Sequence, residues 1–255
     1  MSTQPTAFEH PLNEKIRIFL RLEHLFQKMD YFLSKPEDWA TRTAIDVLID
    51  IISVVQVDIK GDVLKELERY TAVLEHVGQQ SEVNAEALKQ VLDDLKTATT
   101  EVRALDAQII HNLRSNEFLK SITQRTRIPG GSCSFDLPHY TYWLHQPIAY
   151  RKLQIENWMH GLLPIRTSIS LLLSLIRNSC DPKTVIASDG LYRGTLDAQL
   201  PVQMLRIQID PDLALYPEVS GHKHKFNIRF LEFKDTSPPE PTKREVEFEL
   251  TCCIF

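Results

Sequence analysis

In the first half of the chain, apolar residues recur every three or four positions, the spacing of one helix face. Leu12, Ile16, Phe19, Phe26 and Leu33 form one such stripe, with Arg17 and Arg21 together on another face. The stretch AIDVLIDIISVVQV, residues 44–57, carries two stripes. Ile45, Leu48, Ile49, Ile52 and Val55 make one, and Val47, Ile51 and Val54 the other. A helix apolar on two faces is buried from two sides, in the middle of a bundle or against another subunit. Asp62 is placed to cap a third helix bearing Val63, Leu67, Tyr70, Leu74 and Val77, and Gly78 to end it. The spacing resumes at Leu88, Val91, Leu95, Ala98, Val102, Leu105 and Ile109, so two heptad-like helices form an antiparallel hairpin.

A short helix is expected over 118–124. The pattern then breaks at RIPGGSCSFDLP, where Pro129, Gly130 and Gly131 signal a turn. Cys133, Phe135 and Leu137 alternate with Ser134 and Asp136, which reads as a short strand. Helical spacing returns over 140–178, with breaks at Pro147 and near Gly161 and Pro164. From Asp181 onward the period is two. TVIAS and LYRGT flank Asp189-Gly190, a hairpin signal, and Leu205, Ile207 and Ile209 share one face. In GHKHKFNIRF, Phe226, Ile228 and Phe230 point one way while Lys223, Lys225, Asn227 and Arg229 point the other. In EVEFELTC, Val246, Phe248, Leu250 and Cys252 oppose Glu245, Glu247 and Glu249. The predicted class is α+β, an N-terminal helical bundle domain with a smaller antiparallel β-sheet domain. The helical domain would span 1–126 and 138–180. The β domain, discontinuous in sequence, would span 127–137 and 181–255.

Composition narrows the function. The chain has 255 residues and a net charge of −5, so any basic patch is local. Residues 62–110 hold ten acids and five bases, which makes the hairpin an acidic, solvated strut. No stretch approaches the roughly 18 apolar residues of a membrane span. The N-terminal MSTQPTAFEHPLNEK has neither a basic n-region nor an apolar h-region. With four cysteines and no paired metal spacing, a reducing cytoplasm and no membrane association are expected.

No catalytic set assembles. Cys133 has the parity of Phe135 and Leu137 and reads as a core residue rather than a nucleophile partnered by His139 or His145. A strand, not a helix, is expected after PGGS, which argues against a phosphate cradle. His222 and His224 lack a third metal ligand nearby. The terminal CCIF matches a prenylation pattern, yet Cys252 continues an inward strand parity. The basic row at 223–229 admits two readings. Cross-strand pairing with Glu245, Glu247 and Glu249 would neutralise it within the sheet. Otherwise it meets an anionic partner, an acidic peptide or, as an alternative, a nucleic acid, although the negative total charge and the lack of a recognition motif disfavour nucleic acid.

Three blocks carry a resemblance. FEHPLNEKIRIFLRLEHL (8–25), IPGGSCSFDLP (128–138) with WLH (143–145), and LYPEVSGHKHKFNIRF (215–230) together resemble the ZapD family of bacterial cell-division factors. The order and spacing of the blocks span nearly the whole chain. The resemblance implies a cytoplasmic homodimer with a helical and a β domain, no catalysis and no cofactor. It implies binding to the C-terminal tail of the tubulin-like protein FtsZ and bundling of FtsZ filaments at midcell. It also implies a tail-binding cleft between the domains, lined by Arg17, Lys225 and Arg229 and by Lys60, Arg125 and Arg127. Lys223 joins this set from the strand pattern. Lys225 stands where the family pattern has arginine, which keeps the charge and loses bidentate carboxylate geometry.

Overall fold

The period-two alternation after residue 181 folds as two antiparallel sheets. In the computed structural model, residues 6–55, 58–78, 84–106, 108–126, 128–197, 199–222, 224–235 and 238–255 are described. The order of elements is β1 (Thr6–Pro11), α1 (Glu14–Leu33), α2 (Asp38–Val54), α3 (Ile59–Val77), α4 (Ala85–Ala104), α5 (Ile109–Ser115), α6 (Glu117–Thr126), α7 (Pro138–Leu144), α8 (Ile148–His160) and α9 (Leu163–Arg177). The strands β2 (Lys183–Ala187), β3 (Leu191–Thr195), β4 (Val202–Ile209), β5 (Leu215–His222), β6 (Lys225–Glu232), β7 (Glu240–Pro241) and β8 (Val246–Ile254) follow. The architecture is α+β, as the pattern predicts. Two compact units emerge, Met1–Arg17 with Leu173–Phe255, and Ile18–Leu172.

The first unit is a β-sandwich. One sheet has the order β1-β4-β8-β2; the other has β3-β6-β5, with β7 also on β6. Their inner faces share one core, in which Leu205, Ile207 and Ile209 of β4 and Val246, Phe248 and Leu250 of β8 pack with Phe226, Ile228 and Phe230 of β6. Phe230 meets Phe248 edge to face at 4.9 Å. Each of these side chains stabilises the sandwich by roughly 1.5–3 kcal/mol. Asp189 and Gly190 both have positive φ, 51° and 68°. That tight turn starts a hairpin bridged at Ser188 and Leu191, after which β2 and β3 part into different sheets. Cys252 lies within β8, half-buried beside the core, as the strand parity predicts.

Two expectations are corrected here. The segment 128–137 is a chain of turns, not a strand. Gly130 takes φ 73°, and the backbone N–H groups of Gly131, Cys133 and Asp136 each bond three residues back. Turns abolish the i, i+2 parity, so Cys133 is exposed, Phe135 is exposed, and only Leu137 is buried. The segment belongs to the helical unit. The part of the sandwich that is distant in sequence is instead β1, paired with β4 from Thr6 opposite Ile209 to Pro11 opposite Met204. Glu9 of β1 accepts two hydrogen bonds from Arg177, at 2.7 and 2.8 Å, which pins the strand to the end of α9. Arg17, expected in the helical domain, falls in the sandwich unit.

In the helical unit, Ala44, Ile45, Val47, Leu48 and Ile51 of α2 are all buried. Parts of both apolar faces are thus covered by the chain itself, as in the middle of a bundle, while Ile49, Ile52 and Val54 are only half-buried. The hairpin of α3 and α4 is antiparallel: Lys60 meets the end of α4, Arg103 pairs with Glu68 and Lys96 with Glu75. The third helix begins at Ile59, one turn earlier than expected, and Asp62 lies in its first turn instead of capping it. The breaks near Pro147 and Gly161 separate α7, α8 and α9 as predicted. Among the described residues, no single helix is long and apolar enough to cross a membrane.

Candidate partner-binding face

The strand β6 puts Phe226, Ile228 and Phe230 into the core and leaves Lys225, Asn227 and Arg229 exposed. Lys225 and Arg229 therefore point the same way, about 13 Å apart along the strand. The neighbours of this row are set by register. Lys225 lies opposite Thr195 of β3 and His222 of β5, Asn227 opposite Arg193 and Ser220, and Arg229 opposite Leu191 and Glu218. Exposed Arg193 on β3 sits diagonally between Lys225 and Arg229. Three cations thus share one outer face with a single acid opposite, Glu218.

Internal neutralisation by Glu247 and Glu249 fails on topology, and Glu245, just before β8, makes no ion pair among the described residues. Glu247 and Glu249 lie on β8, which pairs with β2 and β4 in the other sheet. Among the described residues, Lys225, Arg229 and Arg193 make no ion pair, while Lys234, just past β6, donates to Glu240 at 2.7 Å. That hydrogen bond raises the Lys234 pKa and lowers that of Glu240. The cations of the β6 face have no such partner.

The remaining sequence-predicted residues separate. Arg17 belongs to the sandwich unit and bonds Glu14 at 3.1 Å within the first turn of α1. Its charge and burial together lower the His10 pKa, burial being the larger cause. Lys60 and Arg125 belong to the helical unit. The Lys60 ammonium donates to the carbonyls of Arg103 and Leu105, at 3.0 and 2.6 Å, and so closes the C-terminus of α4. Arg125 approaches Asp136 at 3.6 Å. Arg127 and Lys223 lie outside the described residues. Arg193 is the residue that sequence reasoning missed; the signal was the Asp189-Gly190 turn, which makes LYRGT a strand with Arg193 on its outer face. No group of three metal-ligating side chains occurs among the described residues.

Fold and face define an α+β protein with a preformed, net cationic strand face. The family model of ZapD, described as a cell division protein, matches residues 20–229. The chain is 35% identical over 255 residues to the cell division protein ZapD of Aromatoleum aromaticum, covering 99% of both chains. It is 34% identical over 250 residues to that of Methylococcus capsulatus, covering 98% of both. With that of Azoarcus sp. it shares 36% identity over 250 residues, 98% of this chain and 99% of the relative. This chain belongs to the ZapD family of cell division proteins.

Proposed function

We propose that this chain binds the C-terminal tail of FtsZ and, as a cytoplasmic homodimer, cross-links FtsZ filaments at the midcell division site. The observation that carries this reading is the outer face of β6, where Lys225, Arg229 and the neighbouring Arg193 stand without an ion-pair partner among the described residues. Like charges in a row repel, and an acidic tail relieves that repulsion while gaining charge-assisted hydrogen bonds. Arg17 adds to the cationic character of the same unit, and Lys223 enters through the strand pattern of the sequence. Lys60, Arg125 and Arg127 of the helical unit enter through the family resemblance. Two of the Lys60 donors already serve α4, which leaves that residue the smallest share.

A single tail on an exposed face binds weakly, because water and salt screen the charges. Two such faces on one dimer raise the effective concentration of the second contact and turn weak sites into a filament cross-link. Co-sedimentation tests the proposal. The wild-type chain pellets with FtsZ filaments and bundles them, and the Lys225→Glu/Arg229→Glu double variant does not. Equal bundling by the folded double variant overturns it.

A further inference from the structure

A cleft of about 400 Å³ in the helical unit lies between the first turn of α2 and the α7–α8 connection. Asp38, Trp39, Arg42, His145, Gln146 and Arg151 line it. Arg151, on α8, is only 4% exposed. Its Nη2 donates to the Asp38 carboxylate at 2.8 Å, but its buried Nε and Nη1 have no hydrogen-bond partner. Arginine does not shed its charge to escape burial. A buried cation with unmade hydrogen bonds is costly, and a bound ion or ligand is one way the cost is met.

The surroundings share that bias. Arg42 makes no ion pair among the described residues; its guanidinium is held over Trp39 at 5.1 Å and Tyr140 at 5.5 Å. Glu37, at the N-cap of α2, makes no side-chain capping bond, and Asp38 and Trp39 of the first turn of this 17-residue helix line the cleft. His145 donates from Nδ1 to the Thr141 carbonyl at 2.7 Å. Against two guanidinium groups and a helix N-terminus stands one lining carboxylate, Asp38, whose side chain is 71% exposed. Asp46, one turn beyond Arg42, interacts electrostatically with that guanidinium but lines a separate cleft with the 128–132 turns.

We propose that this cleft is an oxoanion-binding site, and that Asp38 holds it as an internal placeholder which an incoming carboxylate or phosphate group displaces. Arg151 supplies the buried charge, the α2 N-terminus its free N–H groups, and Arg42 a pre-oriented guanidinium at the rim. The exposed Trp39 ring forms an apolar wall for whatever carries the oxoanion. The site is independent of the β6 face, which lies in the other unit.

Thermal unfolding with inorganic phosphate, against chloride at equal ionic strength, tests this on the full chain. Phosphate at about ten times its Kd raises the wild-type Tm by roughly 3–5 °C. Arg42→Gln, at a half-buried rim position that tolerates a neutral side chain, cuts that rise to less than half. Asp38→Asn lowers the Tm in chloride, and phosphate restores more than it adds to wild type. A separate arm with acetate identifies the source: acetate matching phosphate marks a carboxylate ligand, and phosphate exceeding acetate marks a phosphate-bearing one. Equal Tm values in phosphate and chloride for wild type overturn the proposal. So does an undiminished rise in Arg42→Gln, a comparison that needs no variant at the buried Arg151.

Discussion

Reversing Arg229 asks whether the cationic row has a structural duty. Arg229 is exposed on the face opposite Ile228 and Phe230, and its cross-strand partners are Leu191 and Glu218. Arg229→Glu therefore removes no core burial and no ion pair. It places a new acid opposite Glu218, and a like-charge pair across strands costs about 0.2–1 kcal/mol. For a chain of this length, 1 kcal/mol moves the Tm by about 2–4 °C. A fall of at most about 4 °C is expected, and less for Lys225→Glu, which faces Thr195 and His222 and meets no acid. Ile228→Ala, one residue away and fully buried, gives the contrast: losing a core side chain costs about 2–5 kcal/mol, roughly 4–20 °C. Differential scanning calorimetry of the three variants at one salt concentration makes the comparison. A fall for Arg229→Glu as large as that for Ile228→Ala would refute the reasoning, because it would reveal a partner inside the fold.

Gly131→Ala drives a Cβ into the Arg125 carbonyl oxygen, so the turn must open; a loss of about 1–3 kcal/mol is expected, read as a lower urea midpoint at unchanged slope. Burial and Arg17 hold the folded His10 pKa below 6.5, so the unfolded chain takes up the proton first as pH falls. The His10 contribution is therefore intact above pH 6.5, starts to be lost below it, and is gone below the folded-state pKa; His10→Gln should flatten the fall in Tm between about pH 7 and 5. Light scattering of the wild-type chain should give twice its 29.4 kDa mass, and a monomer at high micromolar concentration would remove the basis for bivalent cross-linking.

Much of this fold is written in its periodicities, and the exceptions have physical reasons. The burial of Phe226, Ile228 and Phe230, and with it the cationic row, follows from alternation along one strand. The helices of the central bundle follow from stripes such as Ile45 and Leu48. Alternation misleads at Cys133, Phe135 and Leu137, where a positive-φ glycine and successive turns replace the pleat. The edge strand β1 is opaque because only Phe8 among its six residues is a large apolar group; pairing with β4 and the Glu9–Arg177 contact hold it, and both come from distant sequence. Which strand neighbours β6 is likewise a matter of topology. Only the two-sheet arrangement separates Glu247 and Glu249 from the row and brings Arg193 alongside. The Arg151 cleft was equally hidden, because it joins α8 to the start of α2 across 113 positions.

The most direct test of the central claim is a fluorescence-anisotropy titration of a labelled FtsZ C-terminal tail peptide with wild-type chain and with Lys225→Glu/Arg229→Glu. The account predicts saturable wild-type binding that weakens as salt is added. It predicts at least a tenfold loss in the double variant, about 1.4 kcal/mol, with an unchanged circular dichroism spectrum. Wild-type affinity in a folded double variant would contradict it.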